Sequence, residues 1–300
     1  MNNHPIPILH SAVVIMTPLL LAATGGLFTE LAGMLNIALE GMLLTAAFTA
    51  IIAAHFSGSI FVGILAAIAA SMILAGVLGA VTLKLKSNVF ITGLAANLFA
   101  AGITVVLSFR LFGTRGVVVL NDVARLPTFT IPFIADIPVL GDIFSGHTLY
   151  VYFSWLLLAS AWLVLYRTPA GFRFRACEKH SRALISLGIK PDNWRFAAFL
   201  VSGFTCGIGG SFLTLNLRAF VPNISSGKGW IALVVIFLGN RKPQGLILAA
   251  LVFGLAEAFS NHAQGALNVP ADFILAIPYL FTLLVMIGVS IYLKRKHEIV

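Results

Sequence analysis

Stretches of about twenty apolar residues recur along this chain, near 9–27, 37–55, 60–83, 89–111, 147–167, 194–215, 244–262 and 272–293. A hydrocarbon core ~30 Å thick is crossed by roughly 20 helical residues rising 1.5 Å each. Inside it every backbone N–H and C=O must be satisfied within the protein, which leaves helices or closed barrels as spanning elements. Segments this long and this apolar read as helices. The sequence therefore predicts an all-α polytopic membrane helix bundle of about 8–9 transmembrane helices, forming one transmembrane domain over 1–300. It excludes an ordinary soluble domain: 10% of the residues are Asp, Glu, Lys or Arg, where such a domain carries about 25%. Residues 230–239 are apolar but too short to cross alone, and are expected to form a half-helix or re-entrant segment. The first span follows a stretch without Lys or Arg, unlike a secretory signal, and is expected to stay in the membrane.

Nineteen Lys and Arg against ten Asp and Glu give a formal charge of +9, but where these charges fall says more than their sum. Cytoplasmic loops of membrane proteins carry the Lys and Arg excess. Lys84, Lys86, Arg167, Arg173, Arg175, Lys179, Arg182, Lys190, Arg195, Arg241, Lys242, Lys294, Arg295 and Lys296 fall on one side, and Arg110, Arg115, Arg125, Arg218 and Lys228 on the other, fourteen against five. The expectation is a multi-pass protein of a cytoplasmic (inner) membrane, with the 168–193 loop and the C-terminus cytoplasmic. Residues 113–146 then form an extracytoplasmic loop, which Pro127, Pro132, Pro138 and the apolar residues between them would hold along the membrane surface. So distributed, the basic excess points to membrane lipid and not to nucleic acid.

Polar and ionisable groups inside spans are costly, and by default they face a bundle interior or a water-filled path. The densest group runs from Thr29 and Glu30 through Gly33, Asn36, Glu40 and Gly41. Asn36 and Glu40 stand four apart and on a helix would share a face. One reading sets them at a broken helix beside a translocation path, where freed backbone groups line a cavity. The other is a cytoplasmic turn in which Asn36 caps the second span and Glu40 sits in its first turn, favoured by the helix dipole. Asn88, Thr92 and Asn97 interrupt the fourth span, and Glu257, Asn261 and His262 the seventh. Asn36, Glu40, Asn88 and Asn97 are the candidates for lining or shaping the path, with interhelical hydrogen bonding as the alternative.

Nothing is laid out for catalysis. Gly227-Lys228-Gly229 has the Gly-Lys pair of a phosphate loop but lacks the Ser or Thr that follows, and Pro222 stands where the first glycine belongs. No His-Glu-x-x-His or Gly-x-Ser-x-Gly occurs. His262 lacks a partner at metal-ligand spacing, and Cys177 and Cys206 read as free thiols. Small residues, as in 76–79 and 203–210, suit close helix packing in lipid. A short match between Gly25-Gly26-Leu27-Phe28 and Gly209-Gly210-Ser211-Phe212 hints at a duplicated half. Residues 171–190 mix apolar with basic side chains and end at Gly188 before Pro191. They read as one short helix of two or three turns across the membrane face, offered to a protein groove or to anionic headgroups.

The run from Thr17-Pro18-Leu19-Leu20 through Gly25-Gly26-Leu27-Phe28-Thr29-Glu30-Leu31-Ala32-Gly33, with Asn36-Ile37 and Glu40-Gly41-Met42, resembles the N-terminal motif of bacterial ABC importer permeases. The branch is the one holding nucleoside and simple-sugar permeases and, more distantly, branched-chain amino-acid permeases. Arg175-Ala176 with Ala183 and Gly188-Ile189 is similar to that family's coupling segment, and Gly227-Lys228-Gly229-Trp230-Ile231-Ala232, Gly239-Asn240-Arg241-Lys242-Pro243-Gln244-Gly245 and Phe253-Gly254 resemble its C-terminal motif. The departure is that Glu178, Lys179 and Ser181 stand where the family usually has Gly, Glu and Pro. The resemblance implies the ABC importer permease fold in a bacterial inner membrane, a second permease subunit, identical or different, two ATP-binding subunits and an extracytoplasmic substrate-binding protein. ATP and Mg would belong to the partner subunits, with no cofactor in this chain and alternating access as the mechanism. Arg175, Ala176, Glu178, Arg182, Ala183 and Gly188 are implied to couple to the ATPase. A nucleoside or similar ring-bearing nutrient is the first expectation for substrate, riboflavin the second and a simple sugar the third. An ion-gradient-driven secondary transporter is the rival from another class.

Overall fold

The computed structural model describes residues 6–132, 137, 140–266 and the isolated positions 280, 283, 284, 287 and 288. Its helices in chain order are α1 (Ile6–Leu31), α2 (Leu39–Ser57), α3 (Ile60–Leu83), α4 (Val89–Phe112), α5 (Leu140–Phe144), α6 (Leu149–Arg167), α7 (Pro169–Lys179), α8 (Ser181–Ser186), α9 (Pro191–Leu217), α10 (Lys228–Leu238) and α11 (Pro243–Ala266). Seven of them, α1, α2, α3, α4, α6, α9 and α11, are long and apolar enough to cross a membrane. These fall on the first seven predicted spans. The eighth, at 272–293, lies outside the described residues except for its isolated positions, as do Lys294, Arg295 and Lys296.

Local chemistry fixes the ends. Asn88 accepts hydrogen bonds from the Phe90 and Ile91 amides and so caps α4. Gly58 and Gly113 close α2 and α4 in the left-handed conformation that most often ends helices. Pro169 and Pro191 open α7 and α9, where a missing N–H costs nothing. The 171–190 segment is two helices and not the single one expected: the chain breaks at His180, φ −130°, between α7 and α8. The bundle also departs from purely α structure in two antiparallel pairs of two-residue strands, β1 (Val118–Val119) with β4 (Ala219–Phe220) and β2 (Thr128–Phe129) with β3 (His147–Thr148). They pin the described part of the 113–146 loop to the ends of α6 and α9.

Helices α1, α2 and α9 form the centre. Gly207 of α9 meets α3 so closely that a Cβ there would stand 2.6 Å from Ile68 Cα, and Gly210 abuts the Leu43 carbonyl of α2. Such close backbone approach is a main source of helix association in lipid. Helices α3 and α4 lie outside this centre and turn Phe61, Ile73, Leu98 and Phe99 outward. In hydrocarbon those side chains carry no exposure penalty.

Candidate functional site

Polar groups converge at two places. The first is the reversal after α1. Gly33, φ +79°, turns the chain beneath Glu178, and α2 starts only after the chain has come back into the bundle. Asn97 shows how far: it lies about 12 Å into α4, donates to the Ile37 carbonyl at 2.9 Å and accepts from the Gly41 amide at 2.7 Å. One side-chain amide thus satisfies backbone groups that the reversal leaves without helical partners. Asn36 donates to Ser202 Oγ at 2.8 Å and accepts from the Ala38 amide at 3.1 Å. It does not cap α2, whose N-cap position is Ala38, and because it lies outside the helix it shares no helical face with Glu40. Asn36 and Glu40 are both buried.

Glu40 does sit in the first turn of α2. Its Oε1 accepts from Ser225 Oγ at 2.6 Å and the Gly227 amide at 2.8 Å, and its Oε2 from the Gly229 amide at 2.7 Å. Gly227 is the N-cap residue of α10. The carboxylate therefore caps a second helix as well as standing at the start of its own, so two positive helix ends meet at one anion. Short bonds to an ionised acceptor are the strong kind. The expected half-helix is α10, whose 11 residues make about 16 Å, roughly half of a bilayer core. Lys228, placed by the charge pattern on the outer side, lies at this end of α10 and binds Glu257 of α11 at 2.7 Å. Glu257 thus makes an ion pair between helices.

The second place is the basic end of the bundle, around α7 and α8. Arg241, in the turn after α10, directs Nη2 to Glu178 Oε1 at 2.7 Å and to Glu30 Oε1 and the Glu30 carbonyl, each at 3.1 Å. Arg195 of α9 donates to the Cys177 carbonyl at 3.1 Å, Ser181 Oγ at 3.3 Å and the Ala32 carbonyl at 3.4 Å, and pairs with Asp192. Arg175 lies over the Tyr166 ring and Ala176 is buried, whereas Arg182, Ala183 and Gly188 are exposed, beside exposed Ile185 and Leu187. Cys177 and Cys206 are free and buried; burial pushes the Cys177 thiol above the usual thiol range, with Arg195 opposing it. Asn88 is exposed at the α4 cap, apart from Asn36, Glu40 and Asn97. Sequence reasoning missed Ser202, Ser225 and the roles of Arg195 and Arg241. Ser202 and Ser225 carry no local signal, whereas an Arg inside a motif rich in turn residues was a visible one.

Between α3 and α4 a slot of about 610 Å³ opens onto α2, with Thr45, Leu74, Thr92, Ala96 and Phe99 among its walls and no ionisable side chain.

Residues 8–290 match the family described as branched-chain amino acid transport system / permease component. The chain is 31% identical over 296 residues to the guanosine ABC transporter permease protein NupQ of Bacillus subtilis, covering 94% of this chain and 91% of that protein. It is 28% identical over 290 residues to the nucleoside ABC transporter permease protein NupC of Lactococcus lactis, covering 93% and 90%. It is 29% identical over 262 residues to the putative glucose ABC transporter permease protein TsgC13 of Haloferax volcanii, covering 86% and 78%. No solved structure matches it. Permease components of this family are not the ATP-hydrolysing subunits, and the seven membrane-length helices agree with a multi-pass inner-membrane protein. From a match that spans nearly the whole chain and a bundle of this kind, the chain belongs to that permease family and is a membrane-spanning subunit of an ABC importer.

Proposed function

We propose that this chain, one transmembrane permease domain, forms part of the translocation path for a nucleoside or similar ring-bearing nutrient. It works by alternating access beside a second permease subunit, with two ATP-binding subunits below and an extracytoplasmic binding protein above. The observation that carries the substrate reading is the near full-length similarity to two permeases named for guanosine and for nucleosides. The similarity to a putative glucose permease favours a simple sugar as the second reading.

In this reading Asn36, Glu40 and Asn97 shape the path by fixing where α2 and α10 begin, and Asn88 fixes the start of α4. The basic end faces the cytoplasm. Arg182 and Ala183 on α8, with Gly188 in the turn after it, meet the ATPase, while Arg175, Ala176 and Glu178 hold α7 to the permease. Nucleotide and binding protein can drive the cycle only through different affinities for the inward- and outward-open states, so the path itself needs no tight site. The test is uptake into proteoliposomes holding the complex, binding protein and ATP, with labelled guanosine, riboflavin and ribose. Saturable guanosine uptake that other nucleosides inhibit is expected; uptake of ribose alone would select the sugar reading. Arg182→Glu is expected to abolish uptake without affecting membrane insertion, and unchanged uptake would remove α8 from the coupling surface.

A further inference from the structure

At the basic end the C-termini of α1 and α7 lie side by side, with Gly33 against Glu178, each with carbonyls that lack partners within the helix and the negative end of a helix dipole. Two arginines rooted elsewhere fill the gap. Arg195 is rooted in α9, a helix packed along α1, α2 and α3, so it ties α7 to the centre of the bundle. Arg241 is rooted differently. It follows Asn240 in a tight turn where both residues are left-handed, φ +55° and +54°, directly after α10. The Arg241 amide donates back to the Ile236 carbonyl at 3.0 Å, which fixes the turn to the helix. Glu178 therefore pulls on the lower end of α10, and the upper end of α10 is the one whose Gly227 and Gly229 amides grip Glu40. Between them stand 11 residues of unbroken helix, with Ile231, Ala232, Val235 and Ile236 buried.

We propose that α10 is a strut that carries displacement of the coupling segment to the start of α2. The Arg241–Glu178 pair is its joint at one end and the Glu40 carboxylate its joint at the other. Arg241 and Glu178 are then positioning residues for transport. The inference rests on the reading of α7 and α8 as the surface that meets the ATPases. A helix about 16 Å long transmits translation along its axis because its length is fixed by its own hydrogen bonds, and its ends are held by the contacts of Arg241 with Glu178 and Glu30 and of Glu40 with Ser225, Gly227 and Gly229.

The experiment measures solute moved per ATP hydrolysed by the reconstituted complex with its ATPase subunits and binding protein. Wild type is compared with Glu178→Ala, Glu178→Gln, Arg241→Ala and the double variant Glu178→Ala/Arg241→Ala, with complex assembly followed in parallel. Each single alanine variant is expected to lower the ratio about tenfold, the scale of one charge-assisted hydrogen bond, while the complex assembles and still hydrolyses ATP. The double variant is expected to be no worse than Arg241→Ala alone, because that substitution has already removed the Glu178 contact along with those to Glu30. Glu178→Gln keeps the side chain's shape and is expected to show a smaller drop in the same ratio. An unchanged ratio in assembled variants, a double variant whose loss is the product of the two single losses, or failure of even Glu178→Gln to assemble overturns the strut. Those results leave the ATPase-facing surface standing; that reading falls separately if Arg182→Glu transports normally.

Discussion

Replacing Glu40 by Gln keeps the shape of the side chain and removes its charge, so it isolates what the carboxylate contributes at the meeting of α2 and α10. The Gln oxygen can still accept from Ser225 and the Gly227 amide. Its –NH₂ group takes the place of Oε2 and faces the Gly229 amide, donor against donor. Hydrogen bonds to charged groups contribute about 1.5–3 kcal/mol and neutral ones about 0.5–1.5, and a buried N–H left unpaired costs about 1–3. Each helix N-terminus adds ~0.3–1 kcal/mol of attraction to a nearby anion. Relief from no longer burying a charge offsets part of this, leaving a net loss of about 2–4 kcal/mol. For a chain of 300 residues that corresponds to a fall in Tm of roughly 3–6 °C, measured by thermal unfolding of the purified protein in detergent. A Tm within 1 °C of wild type, or above it, would show that the three bonds do not hold the junction together.

Gly229→Ala offers a test by volume: alanine is the better helix former by ~1 kcal/mol, but the new methyl would overlap the Glu40 backbone, so lower Tm and lower yield are expected where propensity alone gives a gain. Asn97→Leu should cost about 1–3 kcal/mol, because the Ile37 carbonyl and the Gly41 amide lose their shared partner inside the bundle; unfolding in denaturing detergent reads it, and a neutral result would mean the reversal is satisfied in another way. Cys177, whose thiol is held above the usual range by burial, has a smaller thiolate fraction near neutral pH than an exposed cysteine. Its alkylation by iodoacetamide in a Cys206→Ser background should therefore be slow at pH 7 and accelerate at pH values above those where a free thiol has already levelled off; a free-thiol profile would contradict the packed position of α7.

The spans were legible because each is a local pattern. The run 60–83 matches α3 to the residue, since no ionisable or amide side chain interrupts it, and Gly113 marks the end of α4 within two residues of the expected boundary. Glu40 stood out for the same reason, as an ionisable group among apolar neighbours. Its partners did not: Ser225, Gly227 and Gly229 lie 185 to 189 residues away, and contacts at that separation leave no trace in local composition. Lys228 was counted with the outer charges, and its ion pair with Glu257, made 29 residues further on, leaves no local pattern in the sequence. The break at His180 fell inside a continuous helical pattern, and strands of two residues are too short to show an alternation.

Transport by an ATP-driven assembly is tested most directly by initial rates of labelled guanosine uptake into proteoliposomes holding the reconstituted complex. ATP and the binding protein are omitted in turn, and an ionophore is added in a further sample. Uptake that needs both ATP and the binding protein and ignores the ionophore is the predicted result. Uptake by this chain alone, indifferent to ATP and abolished when the ion gradient collapses, would contradict it.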